Sequence, residues 1–275
     1  MTAKVQSGIY RFAVYAGAFF SMAVSILIVG YILIKGIPHL SLELFAWEYN
    51  SDNVSMMPSI INTLLMTMIS LIICVPLGIG AAIYLTEYAR RGSILVKLVR
   101  MTAETLSGIP SIIYGLFGSL FFVAALKMGL SLISGALTLS IMVLPTIMRT
   151  AEEALLAVPD SYREGSFGLG AGRLRTTFRV VLPSAVPGIL SGVILAVGRI
   201  AGETAALIYT AGTVAKVPDS MLDSARTLAV HMYTISSEGL YINQSYATAV
   251  VLLAVVLGIN ALSSFIAKRI GRSYP

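Results

Sequence analysis

The sequence predicts an all-α integral membrane protein with six transmembrane helices. Three observations carry that prediction: an apolar excess, six windows of spanning length and a one-sided distribution of Lys and Arg. Of 275 residues, 57% are hydrophobic and 12% charged, whereas soluble domains run at about 45–50% and about 25%. A soluble fold has no interior large enough to hide that surface, so lipid must cover it.

Windows of about 20 apolar residues fall at roughly Phe12–Ile34, Ile60–Tyr84, Thr105–Ala125, Leu130–Met148, Leu182–Tyr209 and Ala247–Ala267. The first exceeds the roughly 7–15 residues of a signal-peptide core, and no small-residue cleavage site closes it. It is expected to be a retained helix.

Orientation follows from the cations. With the N-terminus inside, inner segments hold Arg90, Arg91, Lys97, Arg100, Arg163, Arg173, Arg175 and Arg179, with further Lys and Arg near both termini. Outer segments hold only Lys35, Lys127, Lys216 and Arg226. The net charge of +6 is therefore a topology signal rather than a nucleic-acid footprint, and both termini are expected in the cytoplasm. Cys74 stands alone, and His39 and His231 lie far apart. This excludes an internal disulfide and gives no metal-ligand spacing. No catalytic or metal residue is expected, and no cofactor.

Two outer segments are substantial. Residues 36–59 contain Trp47 and Tyr49 beside Glu43, Glu48 and Asp52, which reads as an interfacial aromatic belt. Residues 211–246 contain "PDSMLDSARTLAVHMY". Ser220 with Asp223 resembles a capping box. Met221, Leu222, Ala225, Leu228, Ala229 and Met232 then recur at helical spacing. An amphipathic helix on the outer face is expected there.

The inner segment after the fourth span reads "EEALLAVPDSYREGSFGLGAGRLRTTFRVVLP". Pro159 stops the preceding helix, and Ser161 with Glu164 forms an S-x-x-E capping box. A short helix to about Leu169 follows, and Gly170 and Gly172 allow a sharp turn. The product is a helix–turn–helix too elaborate for a connection, since most are about 4–6 residues long.

Its spacing carries a family resemblance. Glu164-Gly165-Ser166, three residues, Gly170, nine residues, then Val180-x-Leu182-Pro183 resembles the E-A-A-x3-G-x9-I-x-L-P signature of binding-protein-dependent ABC importer permeases. Gly165, Ser166 and Val180 replace Ala, Ala and Ile. The stretches "GIPSIIYGLFG", "MVLPTIMRTAEEAL", "VVLPSAVPGILSG" and "GRIAGETAALIYTAG" narrow the resemblance to phosphate importer permeases of the PstA type.

That resemblance implies a single permease domain of the type I, MetI-like fold. Ser161, Glu164, Gly165, Ser166, Gly170, Leu182 and Pro183 would belong to a coupling element that docks on an ATPase. It also implies partners: a PstC-like second permease, a homodimeric PstB-like ATPase and an extracytoplasmic PstS-like phosphate-binding protein, all at the cytoplasmic membrane. Ala206 stands where that family often has proline, so the fifth helix is expected to be less sharply broken. The chain lacks a G-x-x-x-x-G-K-[ST] phosphate loop, so ATP would be used by the partner subunit.

Arg199 and Glu203 lie one turn apart in the fifth span, and intramembrane charge is costly. Counted from Pro183 at about 1.5 Å per residue, Arg199 falls in the outer half of the bilayer. Two readings remain open. Glu203 neutralises Arg199, or each side chain bonds a neighbouring helix. Alternatively Arg199 lines an anion path, its guanidinium matching two phosphate oxygens, with Glu203 holding the fork. Gly198 and Gly202 form a G-x-x-x-G step that would let a helix of a second subunit approach.

In the third span Ser107 and Ser111 stand i, i+4 around Gly108-Ile109-Pro110. They are either path hydroxyls or satisfied by backbone. Arg149 reads as an inner anchor, with an exit-side contact as the alternative, and Glu104 is similar. An importer of another oxyanion, an ion-coupled secondary transporter and an assembly subunit without a path stand as the alternative functions.

Overall fold

A computed structural model describes residues 3–90 and 92–272. Arg91 lies outside the described residues, as do the side chains of Lys4 and Arg272. The described residues hold helices and no strand. α1 spans Ala3–Gly36, α2 Met57–Ile83 with a π turn to Tyr88, α3 Ile94–Ser107, and α4 Ser111–Gly118 with a π continuation to Ala125. α5 spans Leu132–Leu156, α6 Asp160–Gly168, α7 Arg173–Thr176, α8 Leu182–Ala201, α9 Ala205–Ile208, α10 Leu228–Ser237 and α11 Ile242–Arg272.

Among the described residues, five helical stretches are long and apolar enough to cross a membrane: Tyr10–His39, Met57–Tyr88, Leu132–Leu156, Arg173–Ala201 and Ile242–Arg269. α3 and α4 together make a sixth, bent by 103°. The straight span expected over Thr105–Ala125 is thus corrected. Pro110 has no N–H to donate and pushes Ile109 out of the helical region, so the chain turns there instead of loosening.

α5 is the central helix. It packs on α2 and α8, and its Leu139, Met142, Val143 and Ile147 are buried in a core shared with Met66, Cys74, Ala196 and Ile200. A second core beneath it gathers Ala82, Leu85, Val96, Ala151, Leu155, Val181 and Ala185. α8 lies close against α5 because glycines face it. A Cβ on Gly188 would meet Ala154 Cβ at 2.6 Å, and one on Gly192 would collide with Thr150. α1 packs chiefly on α11 at the periphery, and neither buries any of its most apolar window inside the chain. Those faces are left to lipid or to another subunit.

Three further expectations are corrected. The fifth crossing starts at Arg173 rather than Leu182 and stops at Ala201 rather than Tyr209. Gly202, Glu203 and Thr204 are non-helical, so the helix breaks although Ala206 is not proline. No helix starts at Ser220. The Asp223 carboxylate instead accepts the N–H of Asp219 (3.1 Å) and Ser220 (2.9 Å), closing a turn. That turn presents the carbonyls of Met221 and Asp223 to the N–H groups of Ile133 and Leu132 at the start of α5. α10 begins later, where Thr63 Oγ1 on α2 accepts the Leu228 N–H at 2.8 Å. A tertiary contact, not a local cap, sets that helix start.

Candidate functional site

The packing of Gly188 on Ala154 and Gly192 on Thr150 fixes an antiparallel register between α5 and α8. Continued upward, it brings Arg199 level with Val143. That is about 17 Å from one end of α5 and about 20 Å from the other, at 1.5 Å per residue. Arg199 is therefore level with the middle of α5 and two residues from the end of the stretch that begins at Arg173. α8 ends two residues later, so its break lies in the middle of the bundle. Irregular backbone at that depth is stable only where protein buries it or where it lines a cavity.

The break has its own supports. Glu203 does not pair with Arg199; among the described residues no ion pair joins them. The Glu203 Oε1 instead accepts the Ala206 N–H at 3.1 Å and caps α9. This corrects the expectation that the two share a helical face, because the helix has ended before Glu203. α9 in turn packs on α4 where Gly115 leaves no room for a side chain. A Cβ there would lie 2.8 Å from Ala206 Cα and 3.2 Å from its carbonyl oxygen.

Arg199 is half-buried in the last turn of α8 and makes no hydrogen bond or ion pair among the described residues. What favours its charge is the negative end of its own helix dipole. Its guanidinium lies within electrostatic reach of Tyr114 on α4, whose hydroxyl donates to the Leu106 carbonyl at 2.7 Å. Below it, Ser184, Ser191 and Leu195 continue an exposed face of α8. The face is small and polar for most of its length, with one uncompensated cation at its top.

Gly198 and Gly202 do not form the expected docking step. Gly198 faces Asn260 of α11 in the same chain, with a Cβ position 3.3 Å from Nδ2, and Gly202 faces only its own turn. Asn260 was not singled out by sequence. Its Oδ1 is buried without a partner, beside the residue that precedes Arg199. Ser107 and Ser111 fall on opposite sides of the 103° bend. Ser107 donates to the Glu104 carbonyl at 2.8 Å, so no shared hydroxyl face exists. Arg149 lies within α5, which runs on to Leu156, and reaches Glu104 of α3 at 4.0 Å.

At the α6 end the expected capping box is absent. Pro159 precedes the helix without a side-chain cap, and Ser161 and Glu164 are exposed within it. The anchor is Arg163 instead. It donates to Glu87 at the foot of α2 (Nη2 to Oε1, 2.7 Å) and to the carbonyls of Leu155 (2.9 Å) and Val158 (2.8 Å) at the end of α5. Gly170 adopts φ +79° to turn the chain, and Ser166 Oγ meets Thr176 Oγ1 at 2.8 Å across that turn. No neighbour approaches the Cβ position of Gly165. Pro183 occupies the first turn of α8, and Leu182 packs on the lower core. Tyr162, Phe167 and Leu169 stay exposed, Leu169 by 91%.

The opposite end holds a cluster that the sequence did not bring together. Arg226 is 4% exposed, stacked 4.6 Å above the Tyr49 ring, which meets His231 edge-on at 6.1 Å. Tyr49 is therefore a packing partner and not a belt residue; Trp47 remains exposed. Burial, then the nearby Arg226 charge, pushes the His231 imidazole down to about 3. Burial also lowers Arg226 from its ordinary value.

Comparison with known proteins agrees with this architecture. Residues 74–274 match the family model described as "Binding-protein-dependent transport system inner membrane component". The chain is 34% identical over 225 residues to the "Probable ABC transporter permease protein YqgI" of Bacillus subtilis, covering 76% of each. It is 33% identical over 213 residues to the "Phosphate transport system permease protein PstA 1" of Mycobacterium tuberculosis, covering 75% of this chain and 69% of that one. Its fold matches a chain of the inward-facing MetNI methionine ABC transporter with a TM-score of 0.60 at 22% identity, over 78% of this chain and 94% of that one. The chain belongs to the binding-protein-dependent transport permeases, the inner-membrane components of ABC importers, and within them it is similar to the PstA type.

Proposed function

We propose that this permease moves inorganic phosphate inward across the cytoplasmic membrane, with both termini in the cytoplasm. The observation that carries the reading is the uncompensated Arg199 beside a helix break level with the middle of α5. A guanidinium fork suits a tetrahedral oxyanion, which offers two acceptors to it at once. A single cation, without a ring of others, binds weakly enough to release its cargo. The similarity to PstA-type permeases favours phosphate over other oxyanions.

A path along the exposed face of α8 needs a second wall, which a PstC-like permease would supply. α6, with exposed Tyr162, Phe167 and Leu169, would dock on a separate homodimeric ATPase. The Arg163 tie would pass its displacement to α2 and α5. An extracytoplasmic binding protein would deliver phosphate. Two measurements on the reconstituted complex test this. Labelled phosphate should accumulate on ATP addition and resist competition by sulfate, and α6 should cross-link to the ATPase. Uptake abolished by sulfate would assign a different oxyanion, and accumulation without ATP would assign an ion-coupled carrier.

A further inference from the structure

A cavity of about 660 Å³ opens between the foot of α2, the start of α3 and α6. Arg90, Arg100, Arg163 and Arg173 line it, with Glu87 and Asp160 as its only acidic residues among those described. Two of the four arginines are committed elsewhere. Arg163 is bound to Glu87 (2.7 Å), and Arg100 donates to the buried Glu152 at 2.6 Å. Arg90 and Arg173 have no carboxylate partner among the described residues. The Arg173 guanidinium carbon lies 5.4 Å from the centroid of the Tyr88 ring.

α3, which forms one wall, is sharply two-sided. Val96 and Ala103 are buried in the lower core. On the other face Ile94, Leu95, Leu98 and Met101 are exposed, Ile94 by 85%. Lys97 stands exposed between that stripe and the Arg100 side. The 103° bend sets α3 nearly perpendicular to α4. An apolar stripe flanked by cations is the pattern of a helix resting in the interface.

We infer that Arg90 and Arg173 bind the phosphate of an anionic phospholipid from the inner leaflet, whose acyl chains lie along the α3 stripe. Charge complementarity selects the headgroup, and the continuous stripe selects a lipid over a soluble anion. The proposal rests on the orientation proposed above and not on the transported substrate. Because α6 forms the facing wall, the lipid would also brace the element proposed to meet the ATPase.

The test uses the whole permease complex in detergent, with phospholipids added back and bound lipid read by native mass spectrometry. Phosphatidylglycerol should be retained several-fold over phosphatidylcholine and should raise the unfolding temperature. Arg90→Gln with Arg173→Gln should abolish both effects, whereas the paired Lys substitutions should keep them. Arg90→Gln alone covers the case in which the double variant fails to assemble, and should weaken the preference. Equal retention of the two lipids, or an unchanged preference in the Gln variants, would overturn the proposal. Displacement of phosphatidylglycerol by millimolar inorganic phosphate would also overturn it, by assigning the site to a soluble anion. Labelled phosphate uptake in the same preparation reports on the transport reading separately.

Discussion

Arg163 on α6 and Glu87 at the foot of α2, 76 positions apart in sequence, form an ion pair at 2.7 Å whose carboxylate is buried. The same guanidinium also holds two carbonyls at the end of α5. One side chain thus ties a short exposed helix to the two most heavily packed helices of the bundle. Arg163→Ala would leave Glu87 buried and unpaired, at a cost of about 3–5 kcal/mol. Its unfolding midpoint should fall well below that of wild type.

Arg163→Lys separates packing from transmission. Lysine keeps the charge but has no planar fork to hold Glu87 and both carbonyls. Losing even one charge-assisted bond, about 1.5–3 kcal/mol, corresponds to roughly a tenfold change or more. Phosphate moved per ATP hydrolysed should fall by about that factor while ATPase binding persists. An unchanged ratio would show that the tie carries no motion.

Glu203 is a helix cap, and its chemistry can be read by substitution. Glu203→Gln keeps an oxygen for the Ala206 N–H and should transport at close to the wild-type rate. Glu203→Ala should lose about 1 kcal/mol of stability, the usual worth of a cap. If Gln proved as harmful as Ala, the carboxylate charge would matter and the capping role would be insufficient.

Gly115 allows α4 to reach the backbone of α9. A methyl there meets Ala206 Cα at 2.8 Å, so Gly115→Ala must push the broken segment away. Overpacking of this kind costs about 1–3 kcal/mol. Reduced uptake together with a lowered unfolding midpoint is expected. A wild-type profile would show that α9 yields freely.

His231 links stability to pH. Its folded pKa, pushed down to about 3, lies below the ordinary value, so the unfolded state binds more protons between them. Stability is therefore fully present above about pH 6.5 and is lost as pH falls toward the folded value. Within that window the slope approaches about 1.4 kcal/mol per pH unit. His231→Phe should flatten the fall in unfolding temperature between pH 7 and 5. A variant that follows the wild-type curve would remove His231 from the account.

The helical membrane class was legible because hydropathy and Lys/Arg placement are properties of composition along the chain. The short helix after Pro159 was legible because Pro and Gly bracket it. What escaped was decided by distant partners. Ser220 and Asp223 offered a plausible local helix start, yet Thr63 from α2 supplied the start at Leu228. Glu203 looked like the counterion of Arg199 only while the helix was assumed to continue. Arg163 read as one positive-inside residue among many, since nothing local reveals a carboxylate waiting on α2. Arg226 read as an ordinary outer cation until Tyr49, far away in sequence, was found beneath it.

The most direct test of the transport reading is the initial rate of labelled phosphate uptake by proteoliposomes holding the complete complex with Arg199→Ala. The expected result is uptake at background level, with assembly and ATP hydrolysis retained. Uptake at the wild-type rate would contradict it and remove Arg199 from the path.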